Sequence, residues 1–446
     1  MSVYNDRLSD DHARAPVSLA ELEQFLLENP GVQYLDCVFA DLCGAIRGKR
    51  VARDDLERIF KSGIAIPASI YFLDARGDPV ELKDETLAQG RAWPVPGTLS
   101  RVNWSQRPHG QMLMTLTDAK GAPHAGEPRN VLRRVAARFA ELDLVPVVAA
   151  QLEFFLLDTE RTKLGLLQPP KASAPVVQDD FATEIADAAE TQSLPPTTLS
   201  QMSPDGQFEI GIEAVPDAIR AGDHAVFVRQ IVRAVARRVG RDASFMAKPF
   251  LDLAGNGMRI RVGMRHRSGK DVFDDNAPDG SELMRFAIGG LQAVMAESIA
   301  LFAPSVNSHR RFMPPSSVPR NKRWSVRDEK AGLRAVQLQG KARRIEHNVA
   351  GADANPYLVI AAVLAGMHHG ISQGIDPGPP FEGDALAFVD QTLPSNIYAA
   401  LLTLENGSIL REYLGPAYVD LYCATKRAEL DRFRSFIPAH EYDWYV

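Results

Sequence analysis

The N-terminal part of the chain alternates apolar and polar positions with the two-residue period of β-strands. A run of apolar residues around Asp36 is followed by turn residues at Asp41 to Gly44, as in a β-hairpin. A stripe of leucines and Phe25 indicates one short helix before it. The predicted elements are a helix at 17–27 and strands at 34–39, 45–51, 65–73 and 110–117. We therefore expect a small β-rich module in this part of the chain.

Helical periodicity dominates the rest of the chain. Phe227, Ile231, Val235 and Val239 recur every four residues, which places them on one face of a helix. The predicted helices cover 130–142, 221–240, 281–302, 357–374 and the part from Leu393 onwards, with two strand-like apolar runs in 144–157 and a surface excursion with a helical piece at 171–196. A chain of 446 residues is too long for one core. We predict a disordered tail at 1–16 and domains at 17–122 and 123–446.

Composition narrows the class of protein and the range of partners. Hydrophobic residues make up 45% and charged residues 24% of the chain, which is ordinary for a soluble globular protein. The net charge of −6 gives no reason to expect nucleic acid or an anionic membrane as a partner. There is no signal-peptide pattern at the N-terminus and no apolar run long enough for a membrane span. The three cysteines are scattered, which predicts neither disulfides nor a zinc site and suits a reducing cytoplasm.

Several short segments contain residues that could belong to a catalytic or binding site. Glu153 lies in Gln-Leu-Glu-Phe-Phe, Glu209 in Gly-Gln-Phe-Glu-Ile and Glu346 in Arg-Ile-Glu-His-Asn, while Gly255 and Gly257 lie in Gly-Asn-Gly-Met-Arg-Ile-Arg. Taken singly, each is a weak signal. A glutamate between apolar residues is as readily the polar face of a strand, and two spaced glycines are as readily a turn as a phosphate loop.

Taken together and in order, these segments resemble the glutamine synthetase family, most closely its γ-glutamyl-polyamine and γ-glutamyl-amine ligase branch. Further segments strengthen the resemblance: Phe245 to Pro249, Asn307 to Arg311, and Ala354-Asn355-Pro356-Tyr357. It implies an α+β fold, with an N-terminal β-grasp domain and a C-terminal catalytic-type α/β domain built on an antiparallel sheet. It also implies a homo-hexamer or a dodecamer of two stacked rings.

In active members of that family, ATP and a carboxylate substrate meet in a funnel with two or three Mg²⁺ or Mn²⁺ ions between them. Five glutamates and one histidine hold the metals. The resemblance places these positions at Gln151, Glu153, Gln201, Glu209, Arg259 and Glu346. It also assigns Arg311 to contact with substrate carboxylate or phosphate, Arg334 to phosphate stabilisation, and Gly255 and Gly257 to the nucleotide loop.

The residues present depart from that ligand set. Gln151 and Gln201 are amides, and Arg259 is a guanidinium that cannot ligate a metal. Since a guanidinium pairs well with a carboxylate, we predict that Arg259 faces Glu346 where a metal would lie. The other substitutions relative to the family pattern are Arg261 for a second histidine, Glu329 and Asn348 for arginines, and Pro315, Ser316 and Ser317 for a covering loop with its glutamate.

Three functions remain open on the sequence. The first is a binding, regulatory or partner subunit that has lost ordinary ligation and assembles with an active paralogue. The second is a working ATP-dependent ligase that joins a small-molecule amine to a carboxylate with a reduced metal set. The third is a different reaction in the same funnel.

ATP and Mg²⁺ or Mn²⁺ are expected cofactors only of an active enzyme. For a ligase, Glu153, Glu209, Arg311 and Arg334 should converge on an open pocket. For the binding protein, Arg259 and Arg261 should pair with Glu346 and Glu329.

Overall fold

The computed structural model of the protein describes residues 19–80, 89–105, 107–158, 176–274, 280–313, 318, 320–337 and 342–446. The predicted tail at 1–16 and the loop residues Pro315, Ser316 and Ser317 lie outside these ranges.

The described residues form two β-sheets and a set of helices. The strands are β1 (Tyr34–Ala40), β2 (Ile46–Ala52), β3 (Ile64–Pro67), β4 (Gln89–Pro94), β5 (Ser100–Val102), β6 (His109–Thr117), β7 (Leu144–Asp158), β8 (Thr197–Ser203), β9 (Gln207–Ile212), β10 (Arg241–Ser244), β11 (Met258–His266), β12 (Trp324–Ser325), β13 (Leu333–Val336) and β14 (Arg344–His347). The helices are α1 (Leu19–Glu28), α2 (Leu56–Ser62), α3 (Pro128–Ala137), α4 (Val176–Thr191), α5 (Ala218–Arg238), α6 (Glu282–Phe302), α7 (Val306–His309), α8 (Pro356–Gln373), α9 (Ile397–Asn406), α10 (Ile409–Leu414), α11 (Pro416–Arg434) and α12 (Ala439–Tyr445).

The smaller sheet has the strand order β2-β1-β6-β4-β3, with β5 paired to β6. Its hairpin β1–β2 turns at Asp41, whose carboxylate accepts hydrogen bonds from the Ala45 backbone (2.9 Å) and Arg47 Nε (2.9 Å). The single strand predicted at 65–73 is wrong. The chain leaves the sheet after Pro67 and continues as a 3₁₀ turn, because Tyr71 is buried there and stacks on Phe39 at a centroid distance of 3.9 Å.

The larger sheet has the order β12-β13-β14-β11-β7-β9-β8, with β10 paired to β7. Its pairings are antiparallel except for β12–β13, which is parallel. The two apolar runs predicted at 144–157 form one continuous strand of 15 residues, β7. The α+β class and the antiparallel character of the larger sheet are confirmed.

The two faces of the larger sheet differ because successive side chains of a strand point to opposite sides. Leu152 and Phe154 of β7 are fully buried, and Phe154 lies 5.3 Å from the ring of Phe245 and 5.8 Å from that of Phe208. Helix α5 packs on this apolar side. The intervening residues Gln151 and Glu153 point to the opposite side, which is therefore the polar face of the sheet.

Asn355, in the Ala-Asn-Pro-Tyr segment, links the β1–β2 hairpin to the start of helix α8. Its side-chain nitrogen donates to the backbone oxygens of Asp41 (3.0 Å) and Leu42 (3.1 Å), and its side-chain oxygen caps α8 by accepting from the Tyr357 backbone (3.0 Å). Gly44 has φ of 76° there, and an added Cβ would lie 3.0 Å from the Asn355 Cα. Both its conformation and this close approach therefore require glycine.

Among the described residues, α6 is the one helix long and apolar enough to cross a membrane by length and composition. About two-thirds of its most apolar window (67%) is buried within the fold. A helix of the protein core meets the same criterion.

Candidate functional site

The strand register gathers most of the predicted site residues on the polar face of the larger sheet. Three cross-strand pairs define the arrangement: Glu153 with Glu209, Gln151 with Arg259, and Glu346 with Arg261. Arg334 of β13 lies on the other side of Glu346. Directly opposed residues have Cβ atoms about 5 Å apart, so these side chains are immediate neighbours.

Glu346 is surrounded by guanidinium groups. Its side chain is 2% exposed and lies 2.8 Å from Arg261 Nε, 2.9 Å from Arg334 Nη1 and 3.3 Å from Arg344 Nη2. Arg334 and Arg344 donate hydrogen bonds to it, whereas the Arg261 contact is an ion pair. Three cations around one buried carboxylate give this corner of the site an excess of positive charge.

The predicted pairing of Arg259 with Glu346 is wrong. Arg259 Nε donates to Asn348 Oδ1 (2.9 Å) and Nη1 to Gln151 Oε1 (3.4 Å), with Glu209 Oε2 at 3.7 Å. The register between β11 and β14 explains the difference. Arg261 is the residue opposite Glu346, and because the strands are antiparallel, Arg259 lies at the level of Asn348. The Arg259 side chain therefore lies beside the Glu153–Glu209 pair of carboxylates.

Glu153 is held by a backbone donor. The Gly257 N–H donates to its Oε2 at 2.6 Å, and the Glu153 N–H donates to the Gly257 carbonyl at 2.9 Å. Burial raises the pKa of Glu153, and the negative charge of Glu209 raises it further. The hydrogen bond from Gly257 and the charges of Arg311 and Arg259 lower it. A carboxyl whose burial favours the protonated form is a weaker metal ligand at a given pH.

Gly255, Gly257 and Arg311 form one packed unit. A Cβ on Gly257 would lie 3.0 Å from Arg311 Nη2 and 3.2 Å from Glu153 Oε2, and a Cβ on Gly255 would lie 2.7 Å from the Ala247 carbonyl. Arg311 is 3% exposed and donates to the Val349 carbonyl at 3.0 Å. Both glycines thus permit close packing around Arg311. Their predicted role in nucleotide binding stays a prediction.

Gln201 is not paired with the site carboxylates. The register sets Gln201 opposite Phe208, and it is Ser200 that lies opposite Glu209. Gln201 is exposed and its amide donates to the Ser203 carbonyl at 3.2 Å. An irregularity in the pairing between Gln201 and Ser203 interrupts the alternation that would have continued along a regular strand.

Glu329 and Asn348 have different surroundings. The Glu329 side chain is 88% exposed and lies 4.0 Å from Arg334 Nη2, so it does not close the site. The Asn348 amide donates to the Ala331 carbonyl at 3.0 Å while accepting from Arg259. Asn348 therefore anchors Arg259 to the neighbouring loop.

Comparison with known proteins decides the family. The family model described as "Glutamine synthetase, catalytic domain" matches residues 125–445. The chain belongs to this family. The resemblance predicted from the sequence is thereby confirmed, and with it the glutamine synthetase fold.

The protein is similar to two family members whose names describe the joining of a glutamyl group or glutamate to an amine, and to a solved structure. It is 34% identical over 467 residues to the γ-glutamylputrescine synthetase of Escherichia coli (strain K12), covering 100% of this chain and 98% of the relative. It is 26% identical over 370 residues to a glutamate–isopropylamine ligase of a Pseudomonas species, covering 79% and 80%. The solved structure of the GmaS/ADP complex superposes with a TM-score of 0.83 at 26% identity, covering 96% of this chain and 99% of that one.

One residue of this glutamine synthetase family site was missed in the sequence. Arg344 stands two positions before Glu346 on the same strand, so the two side chains share a face of the sheet. That spacing is visible in the segment Arg-Ile-Glu-His-Asn and would have indicated the contact once the segment was assigned to a strand.

Family members use divalent metals, and the donors here can be tested for fit. Within the ranges that the structure describes, no group of three or more His, Cys, Asp or Glu side chains is disposed to hold a metal ion. The position at Glu346 is enclosed by cations, and the Glu153–Glu209 pair has Arg259 beside it. Guanidinium groups therefore lie beside the carboxylates to which the resemblance assigns metal ions.

Proposed function

We propose that this glutamine-synthetase-like protein is a binding, regulatory or partner subunit in amine or nitrogen metabolism that does not carry out ordinary ATP-dependent ligation. The observation that carries the proposal is the set of contacts at Glu346, where Arg261, Arg334 and Arg344 hold a buried carboxylate. These contacts occupy a carboxylate that the family resemblance assigns to a metal.

Ligation of this kind begins with phosphoryl transfer to a carboxylate. That step relies on metal ions that bridge phosphate oxygens and neutralise the charge developing on them. A guanidinium supplies charge and hydrogen bonds but does not organise oxygens octahedrally as Mg²⁺ does. The arginines of this site therefore support binding of an anion better than transfer of a phosphoryl group.

The same arginines indicate what the site binds. The Nε atoms of Arg334 and Arg344 are buried and have no hydrogen-bond partner among the described residues. Buried donors are normally satisfied, so they favour a bound acceptor. A carboxylate or phosphate matches the fork of a guanidinium. The proposed ligand of the site is accordingly a small molecule with such a group.

An assay of ATP hydrolysis tests this proposal. With glutamate and either ammonia, putrescine or other common polyamines, the protein should show no amine-dependent release of phosphate. The E. coli γ-glutamylputrescine synthetase, assayed in parallel with putrescine, is the positive control. Turnover of about 1 s⁻¹ or faster, within the usual range of enzymes, would contradict the proposal.

A working γ-glutamyl-amine ligase is the second candidate function. It is favoured by the 34% identity over the full chain to the γ-glutamylputrescine synthetase and by the retention of Glu153, Glu209, Arg311 and Arg334. In that case ATP and Mg²⁺ or Mn²⁺ would be cofactors and an amine the partner substrate. The same assay separates the two functions.

We also propose a cytoplasmic location. The three cysteines are unpaired in the fold, with Cys37 and Cys423 buried and Cys43 partly buried. Burial raises the pKa of each thiol, to about 12 for Cys37 and Cys423. Buried neutral thiols without disulfides are typical of proteins in a reducing compartment.

A further inference from the structure

A cavity lies beside helix α5, which packs against β7 of the larger sheet. Its volume is about 970 Å³, within the size range of small-molecule pockets. One wall is helix α5, which covers the apolar face of β7, and the facing walls are the β1–β2 hairpin and the loop at Asn103 to Ser105. None of Glu153, Glu209 and Glu346 lines this cavity. We call it the α5 pocket.

Arginines from one face of α5 line the α5 pocket. Arg229, Arg233 and Arg237 follow each other at intervals of four residues, and among the described residues that line the pocket none is acidic. Arg237 lies 3.8 Å from Asp242, but both side chains are largely exposed, so this pair contributes little. Arg238 also lines the pocket and has Glu184 at 3.6 Å, whereas neither Arg229 nor Arg233 has an ion-pair partner among the described residues. The wall formed by α5 is therefore positively charged.

Arg229 is the most informative of the three. It is 6% exposed, and one nitrogen donates to the Ala354 carbonyl at 2.9 Å. Its Nε is buried and has no hydrogen-bond partner among the described residues. The carboxylates that act on it are Asp41, which accepts from Arg47, and Asp353, whose Oδ2 accepts from Ser308 and whose Oδ1 has no hydrogen-bond partner among the described residues. Burial lowers the pKa of Arg229 to about 9, with a further contribution from Arg233, as expected for a buried cation without a close counter-ion.

Two further polar atoms of the pocket are unsatisfied. Gln230 Oε1 and Asn103 Oδ1 are buried without a partner among the described residues, although the nitrogens of the same amides are engaged. Gln230 Nε2 donates to Gln111 Oε1 at 2.8 Å and Asn103 Nδ2 to Thr191 Oγ1 at 3.3 Å. One buried donor and two buried acceptors thus lie around the same cavity. Such groups are normally paired with protein, water or ligand.

A purely structural role explains only part of this arrangement. Basic residues in the last turn of a helix interact favourably with the helix dipole, which accounts for Arg237 and Arg238. Arg229 lies more than two turns before the end of α5, where that interaction has faded. Its burial without a carboxylate partner is unfavourable for a protein that leaves the pocket empty.

We propose that the α5 pocket binds a small organic dianion that also carries a hydroxyl or amino donor. Its acidic groups pair with Arg229 and Arg233, and its donor satisfies Gln230 Oε1 or Asn103 Oδ1. Trp104 covers the uncharged part of the ligand. This site does not depend on the function proposed for the polar face of the sheet.

Calorimetric titration of the full chain with malate tests the proposal. Malate should bind, and succinate, which lacks the hydroxyl, should bind more weakly. Arg233→Gln should weaken malate binding by about tenfold or more, because a charge-assisted hydrogen bond is lost. Arg237→Gln, which removes a positive charge from the lining of the pocket without removing a direct contact, should also weaken binding, by a smaller factor, if Arg233→Gln does not fold. Circular dichroism establishes that each variant is folded.

Arg220→Gln, at an exposed position of the same helix that does not line the α5 pocket, is the matched control and should leave malate affinity within about twofold. Loss of binding in Arg261→Gln with no change in Arg233→Gln would place the anion at the other site and overturn the proposal. Absence of malate binding to the folded, assembled protein would overturn it as well, since a neighbouring copy would then cover the pocket. Equal affinity for malate and succinate would overturn the role given to Gln230 and Asn103.

Discussion

At the scale of single residues, Glu346 shows how neighbouring side chains decide the role of a carboxylate. Its side chain is 2% exposed, and Arg261, Arg334 and Arg344 all lie within 3.3 Å of its oxygens. The charge of a buried carboxylate is stable only when it is paired and hydrogen-bonded. Here protein cations supply that pairing, so Glu346 acts as the centre of a structural ion cluster.

Glu346→Gln should destabilise the protein by about 3–5 kcal/mol, because it leaves three guanidiniums partly buried without their carboxylate. Urea denaturation measures the change in the free energy of unfolding. Glu329→Gln is the control: its side chain is 88% exposed, and its replacement should change stability by less than about 0.5 kcal/mol. A fully stable Glu346→Gln variant would show that the cluster does not stabilise the fold.

His347, next to Glu346 on β14, predicts a pH dependence of stability. Burial lowers its pKa to about 3, and its ring packs 4.6 Å from that of Phe302. The unfolded chain binds the proton near the ordinary pKa of about 6.5, so stability is present above that pH and is lost as the pH falls toward 3. Between pH 7 and pH 5 the free energy of unfolding should fall by about 1–2 kcal/mol more in the unaltered protein than in the His347→Asn variant. Equal losses in urea denaturation would exclude this contribution.

At the scale of secondary-structure elements, the sequence predicted which strands and helices exist better than how they pair. The helix predicted at 281–302 is observed at Glu282–Phe302, where Ser281 caps it as its sequence position suggests. The prediction of the partner of Arg259 was wrong, because that partner depends on the register between β11 and β14, two strands far apart in the chain. Register is set by long-range packing, and moving it by one residue changes every cross-strand neighbour. The irregularity after Gln201 lies in a pair of consecutive strands, and it was missed because the alternation of residues along a strand does not reveal a bulge.

The loop that leads into β11 gives a prediction at this scale. Gly257→Ala should destabilise the protein by about 1–3 kcal/mol, because the new Cβ would lie 3.0 Å from Arg311 Nη2 and 3.2 Å from Glu153 Oε2. Gly31→Ala is the matched control, since nothing lies within 4 Å of its added Cβ. Thermal or urea denaturation of both variants measures the difference. Equal stability of the two would show that the loop has room for a side chain.

At the scale of the whole molecule, the ordered series of short motifs identified the family, while the assembly stays a prediction. Several large apolar side chains near the C-terminus are exposed in the single chain, namely Phe433, Phe436, Ile437 and Trp444. Exposed apolar groups of this kind mark contact surfaces. We predict a homo-hexamer or dodecamer, because one subunit of a closed ring leaves such surfaces uncovered. Light scattering at micromolar concentration measures the mass, and a monomer would contradict the prediction.

The effect of Mg²⁺ on ATP binding, measured by calorimetric titration, tests the central claim most directly. An arginine-lined site without a metal set binds the phosphates through their own charge, and Mg²⁺ reduces that charge. We therefore predict that any ATP affinity of this protein is unchanged or lowered by Mg²⁺. The variant Gln151→Glu, Arg259→His, which introduces two of the ligands that the resemblance implies at neighbouring positions of the polar face, should shift toward metal-dependent binding. ATP binding by the unaltered protein that requires Mg²⁺ would contradict the account and favour the ligase.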